Sequence, residues 1–385
     1  MKTTDMNYTP IQLKLPVDME RIIKINDPVY SFSEVMAHID LKKYFVEKEH
    51  ETGRPRYDRE KLLKIVLFAF MEFGYCSVRF IQKLCETDIR FLWILDGEKA
   101  PCHMTISNFI DNELKLSLDE VFNDINSYMF KKLHVDLKHV YIDGTKIEAN
   151  ANKYTWVWKK NCIKSRNNVF TKVSAILEEM NKDMAIYCRA VFEIRQEYAI
   201  EYVDYILKTY LDTVGMTTED FVHGSGKRKT PQQRLYEKVY DCYKKLKSYA
   251  QKIAICGESR NSYSKTDNDA TFMRFKKDHM KNDQLLPGYN LQMVICDEMI
   301  AHFSVFAFAS DMDCFQPLMD GFNTRYGFYP RYPVADAGYG SFNNYLYCEQ
   351  HGMEKYMKFT MYEKETKDSK YRDNPYRAVN FAIDH

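Results

Sequence analysis

The chain has almost no net charge, no Cys-x-x-Cys pair and no long apolar run, and each absence removes a class of function. With 55 Lys and Arg against 54 Asp and Glu, the formal net charge is +1. The total therefore attracts no polyanion at long range, and any nucleic-acid contact must rest on a local patch. The ten cysteines stand singly from Cys76 to Cys348. A zinc knuckle needs its ligands in close pairs, so reduced cytosolic thiols are the simple reading. Met1 to Met19 lacks the apolar core of a signal peptide, and nothing elsewhere approaches the ~20 apolar residues of a spanning helix. The expectation is a soluble cytoplasmic protein without membrane contact.

What is present is a globular composition with 29 Tyr and 24 Phe, spread over a length too great for one ordinary core. Its periodicity divides the chain into an N-terminal arm (1–30), a helical region (31–136) and a mixed region (137–385). In the helical region Asp58 is placed to cap a helix whose apolar positions are Leu62, Leu63, Val66, Leu67, Phe70 and Phe73, with Gly74 as its C-terminal stop. Ser77 opens a second helix with Val78, Ile81, Leu84 and Cys85 inward. A third segment runs from Asp88 to Leu95, and Thr105 or Ser107 opens a fourth helix carrying Ile106, Phe109 and Ile110. Tight turns between helices fit a helix-turn-helix, but a plain bundle has the same pattern and is favoured on pattern alone.

The period changes at Leu137. Val140 and Ile142 mark a short buried strand ending at Asp143, and a charged helical insertion follows at about 160–260. Strands return at Tyr289–Cys296 and Ile300–Phe308, joined by a tight turn at Asp297-Glu298. Asp313 is read as the cap of a helix containing Phe315, Leu318, Met319, Phe322 and Tyr326. A strand ending at Asp336, a helix from Ser341 to His351 and a last strand from Glu354 to Thr360 complete the order. The fold class expected is α/β: an RNase H-like mixed-sheet core with a long helical insertion, preceded by an all-α domain. In such a core the first and fourth strands are parallel neighbours, which brings Asp143 beside Asp336.

Two ionised carboxylates a few ångströms apart repel unless a cation lies between them. An oxygen-rich, water-accessible pair suits Mg²⁺ or Mn²⁺ better than zinc, and such ions promote phosphoryl transfer. Taken singly, each aspartate reads as a turn former, Asp143-Gly144 above all. Their convergence is what turns the reading towards a metal site.

Asp143-Gly-Thr-Lys-Ile-Glu-Ala-Asn-Ala-Asn-Lys-Tyr-Thr-Trp-Val-Trp158 resembles the first-aspartate block of bacterial insertion-sequence transposases of the DDE class. Asp267-Asn-Asp-Ala-Thr-Phe-Met-Arg-Phe-Lys-Lys-Asp-His-Met-Lys281 and Pro287-Gly-Tyr-Asn-Leu-Gln292 are similar to the block ahead of their second strand. Val334-Ala-Asp-Ala-Gly-Tyr-Gly-Ser341 is similar to their second-aspartate block, and Tyr57 to Leu114 to their helical N-terminal domain. The resemblance spans roughly 28–360. It implies an RNase H-like catalytic core, Mg²⁺-dependent DNA transposition, and double-stranded DNA (terminal inverted repeats and target) as partner. A homodimer on DNA is the expected assembly. Asp143 and Asp336 carry over as the first two catalytic acids and metal ligands. The family's third acid is a glutamate on a helix beyond the last core strand. Here Glu363 and Glu365 sit in a polar run that reads as a solvated loop, and no glutamate follows Glu365. The expectation is a C-terminally truncated, catalytically incomplete chain. Two other readings stay open: a DNA-binding remnant without activity, and a two-metal nuclease completed by Glu363 or Glu365.

Positive charge clusters between Gly224 and Ala254, and Lys227, Arg228, Lys229, Lys244 and Lys245 are its candidate phosphate contacts. Arg79, Gln82 and Lys83 on the polar face of the Ser77 helix are candidates for a groove. A solvated, lysine-rich helix face has the same pattern. Trp156 and Trp158 are read as packing residues rather than base-stacking ones. His279 reads as a structural hydrogen-bonding group in preference to a phosphate-orienting one, and Asp311 is a weaker candidate ligand.

Overall fold

The computed structural model describes residues 19–45, 56–187, 189–224, 226–275 and 284–381. Most of the N-terminal arm and His279 lie outside the described residues. The chain separates into two compact units, Met1–Asp136 and Leu137–His385.

The first unit is helical: α1 (Met19–Ile22), α2 (Pro28–Ala37), α3 (Arg59–Phe73), α4 (Val78–Thr87), α5 (Ile89–Leu95), α6 (His103–Phe109) and α7 (Lys115–Leu133). Capping chemistry fixes most of the starts. The Asp58 carboxylate accepts from the backbone N–H of Glu60 and Lys61, and the Ser77 hydroxyl accepts from Phe80 N–H. Gly74 ends α3 at a positive φ of 66°. The inward face of α3 differs from the sequence reading: Ile65, Phe68 and Ala69 join Leu62, Leu63 and Val66 in the core, while Phe70 and Phe73 face outward. α6 starts earlier than Thr105, at His103, after a Cys102 that makes no side-chain cap.

The second unit is built on a mixed sheet. Its elements are β1 (His139–Glu148), β2 (Trp156–Trp158), α8 (Lys159–Ile186), α9 (Ile200–Val214), α10 (Pro231–Cys256), β3 (Ser262–Ser264), β4 (Thr271–Met273), β5 (Leu286–Cys296) and β6 (Met299–Phe306). These are followed by α11 (Phe315–Tyr326), β7 (Tyr332–Ala335), α12 (Phe342–Gln350), β8 (Tyr356–Met357), α13 (Tyr362–Lys367) and α14 (Ser369–Arg372). The spatial order is β6-β5-β1-β7-β8, with β4 pairing the start of β5. β1 runs antiparallel to β5 and parallel to β7, and β7 is parallel to β8. The β5–β6 hairpin turns at Asp297 and Glu298, both at positive φ (43° and 67°), the signature of a two-residue turn that follows strand twist.

The helices α8, α9 and α10 form the insertion and carry their own core, including Val173, Leu177, Ile206, Tyr210, Val239 and Leu246. One face of the sheet packs under α11 and α12. Val140, Ile142, Val294 and Cys296 on the strands are buried, as are Phe315, Leu318 and Phe322 on α11.

Three local readings change. β1 does not end at Asp143 but continues to Glu148, because β5 pairs with it along that whole stretch. Asp313 caps nothing: it sits exposed in a 3₁₀ turn (Met312–Cys314), and α11 starts at Phe315 without a side-chain cap. Glu363 and Glu365 lie on the short helix α13 rather than in a loop.

Candidate functional site

Strand pairing brings the two aspartates together. The last paired positions of the parallel β1–β7 ladder are Ile142 and Ala335. Asp143 and Asp336 are each the next residue, on strands whose axes lie about 4.8 Å apart. Beyond this point β7 ends and β1 continues with β5 alone, so the pair stands where the sheet loses a strand. Side chains alternate along a strand, so Asp143 shares an open face with Tyr141 and Thr145, while Ile142 and Gly144 face the helices.

Both carboxylates are exposed, and each has one oxygen held by a nearby backbone amide, on the strand for Asp143 and in the turn after β7 for Asp336. Asp143 Oδ1 accepts from Gly144 N–H at 2.8 Å, and Asp336 Oδ1 accepts from Gly338 N–H at 2.8 Å. The other oxygen of each accepts no hydrogen bond from a described residue. Among the described residues no group of three or more His, Cys, Asp or Glu side chains is arranged to hold a metal ion. Two carboxylates with a free oxygen each nevertheless fit a hard divalent cation such as Mg²⁺, which keeps water and takes substrate phosphate oxygens as its remaining ligands.

Next to the pair lies a polar network that reaches into the buried side of the sheet. Asn290 and Gln292 are fully buried on β5. Asp311 Oδ1 accepts from Asn290 Nδ2 (2.8 Å) and Gln292 Nε2 (3.0 Å). Gln292 Nε2 also donates to Asn290 Oδ1 (2.8 Å), and the Tyr339 hydroxyl donates to Gln292 Oε1. Burial pushes the Tyr339 phenol well above its ordinary value, and the carboxylates of Asp311, Asp143 and Asp336 push it the same way. Burial likewise raises the Cys314 thiol to about 12, helped by Asp311 and Asp313 and opposed by Lys146. Asp311 is thus an acceptor within this network through Oδ1. The network was not foreseen as a unit. Its signal was present in Asn290 and Gln292, polar residues at the inward phase of an apolar strand.

The remaining candidates are dispersed. Glu363 pairs with Lys367 and Glu365 with Arg377, so each is engaged next to its own short helix. Arg79 and Lys83 are exposed on α4, whereas Gln82 is committed within the first unit, accepting from His103 N–H and donating to Glu86. The basic cluster is not one stripe. Lys227 and Arg228 are exposed ahead of α10, Lys229 is paired with Glu237 at 2.6 Å, and Lys244 with Asp241 at 2.8 Å, while Lys245 is exposed. Trp156 packs edge-on against Phe272, in keeping with the packing reading, though it remains 45% exposed. No helix among the described residues is long and apolar enough to cross a membrane.

Comparison with known proteins follows the same division of the chain. Residues 17–112 match the family model of a transposase domain (DUF772), and residues 260–380 match that of a transposase DDE domain. Asp336 and the Asn290–Gln292–Tyr339 network lie inside the second match, and Asp143 lies ahead of it. No curated protein and no solved structure matches the chain.

Proposed function

Because the chain belongs to the DDE-class transposases of insertion sequences, we propose that its mixed sheet is an RNase H-like catalytic core that cuts and joins DNA at element ends, with Asp143 and Asp336 as the metal-binding acids. The observation that carries this reading is the parallel β1–β7 register, which makes two aspartates remote in sequence neighbours in space. The strand order β6-β5-β1-β7-β8, in which the strands numbered third, second, first, fourth and fifth in an uninterrupted core stand side by side, supports the same fold.

Asp143 and Asp336 would hold Mg²⁺ or Mn²⁺, which when bound would stabilise charge on the reacting phosphate and lower the pKa of the attacking water or 3′-hydroxyl. The chain supplies the geometry. Each aspartate keeps one oxygen fixed by a neighbouring backbone amide, so the other is oriented without the full entropy cost of a free side chain. The exposed Arg79, Lys83, Lys227, Arg228 and Lys245, with Lys229 and Lys244 at the margins of their ion pairs, are the proposed phosphate contacts, and a homodimer is the proposed assembly on DNA. The test is strand cleavage of duplex DNA carrying the element's terminal inverted repeats in Mg²⁺ or Mn²⁺. Cleavage by the parent chain that is lost in Asp143→Asn and Asp336→Asn supports the reading, and cleavage that survives either change sinks it.

A second reading is a chain that occupies element ends without cutting. It is favoured by Glu363 and Glu365, whose carboxylates are both engaged in ion pairs within their own segment. Salt-sensitive binding to inverted-repeat DNA with no cleavage in Mn²⁺ distinguishes it.

A further inference from the structure

Tyr339 and Gln292 do not belong to adjacent strands. Tyr339 follows β7 in the turn that begins at Asp336, and Gln292 lies on β5, so β1 runs between them. Gln292 is paired with Gly144, the residue next to Asp143. The hydrogen bond from Tyr339 to Gln292 therefore passes over β1 at a position that has no side chain. A Cβ built on Gly144 would overlap the Gln292 amide, so glycine is required there for close approach and not for backbone conformation, since its φ is not positive. Both ends of the tether are buried: Tyr339 is 1% exposed and Gln292 0%.

The direction of every bond is determined. Asp311 and Asn290 Oδ1 are acceptors, so the Gln292 amide nitrogen must face them and its oxygen must face Tyr339. Tyr339 in turn must be the neutral donor. Resting on the two-aspartate reading above, we propose that the Tyr339–Gln292 bond, oriented by Asp311 and made possible by Gly144, is a positioning clamp that sets the separation of Asp336 from Asp143. It ties the turn carrying one aspartate to the strand register carrying the other. Tyr339, Gln292 and Asp311 are positioning residues: they act through the strand and the turn that carry the two carboxylates.

The experiment is a Mn²⁺ titration of the full chain followed by electron paramagnetic resonance, with thermal unfolding recorded for every variant. Groups that orient metal ligands typically change affinity 10–100-fold when removed. Tyr339→Phe, which removes one hydroxyl, is expected to weaken Mn²⁺ about tenfold and to broaden the bound-ion spectrum. Gln292→Met breaks the same bond from the other end, and the double variant is expected to be no weaker than the worse single one. Gly144→Ala, which leaves both hydrogen-bonding groups in place but pushes a methyl group against the Gln292 amide, is expected to reproduce the effect. Parent-like affinity and spectrum in folded Tyr339→Phe overturn the clamp, and so do independent, additive losses in the double variant. If Asp143→Asn binds Mn²⁺ as the parent does, the two-aspartate reading itself fails, whatever Tyr339→Phe shows.

Discussion

The two faces of the central sheet are built from the same strands and have opposite chemistry. On the covered face Val140, Ile142, Val294 and Cys296 are buried, and the polar groups that enter, Asn290 and Gln292, have hydrogen bonds made. On the other face, which carries Asp143, Tyr141 (59%), Val305 (55%) and Tyr356 (51%) remain exposed. The difference teaches that the sheet spends its packing on one side to hold the other still. The covered face supplies rigidity, and the open face presents carboxylates whose free oxygens face solvent.

Substitutions on the two faces should therefore separate activity from stability. The largest effect is expected on activity at the open face: Asp143→Asn or Asp336→Asn reduces metal-dependent cleavage of inverted-repeat DNA to background in a gel assay. Because both residues are exposed, the same variants should shift unfolding free energy by about 0.5 kcal/mol or less. A loss of several kcal/mol would make these aspartates structural and collapse the contrast.

Next in size is the covered face. Phe322 is fully buried against Phe328 and Tyr326, and Phe322→Ala should cost about 3–5 kcal/mol in denaturant unfolding. Its counterpart on the open face, Tyr141→Ala, should cost far less, about 1 kcal/mol or under. Equal losses would show that something covers the open face in solution.

Smaller effects sharpen the picture away from the sheet. Replacing Lys245 by Gln should reduce the salt slope of DNA binding by about 1, the release expected of one phosphate contact. The paired Lys244 should contribute less, because Asp241 already neutralises it. The pH dependence is the weakest lever. Burial raises the phenols of Tyr339 and Tyr347, so their neutral forms stabilise the fold below the ordinary tyrosine pKa of about 10, and that stabilisation is lost as pH rises above it. Thermal unfolding followed from pH 8 to 11 should fall, and should fall less steeply in Tyr339→Phe.

Much of this organisation was legible along the chain because it depends on local physics. Asp58, Ser77 and Ser341 cap helices by bonding to amides two or three residues away, and the β5–β6 hairpin follows from alternation on either side of Asp297-Glu298. Asp143 and Asp336 were identifiable as a pair since the order of elements predicts which strands become neighbours. The helical insertion was visible as a change of period. The readings that changed share one cause. Asp313 as a cap, the end of β1 at Asp143 and the inward face of α3 all depend on what packs alongside, and β5 extends β1 by pairing with it residue for residue to Glu148.

The clamp belongs entirely to the second category. Gly144, Gln292, Asp311 and Tyr339 are scattered through the chain, and nothing local links any one of them to the others. They become one network only when β1 is threaded between β5 and β7, because a buried amide must find its partners wherever the sheet brings them. Sequence by itself determined which residues carry charge, where helices begin and which strands alternate, all consequences of interactions a few residues long. Tertiary structure alone decided which carboxylates meet and what holds them apart, because those distances are set by pairing between segments that no local preference can register.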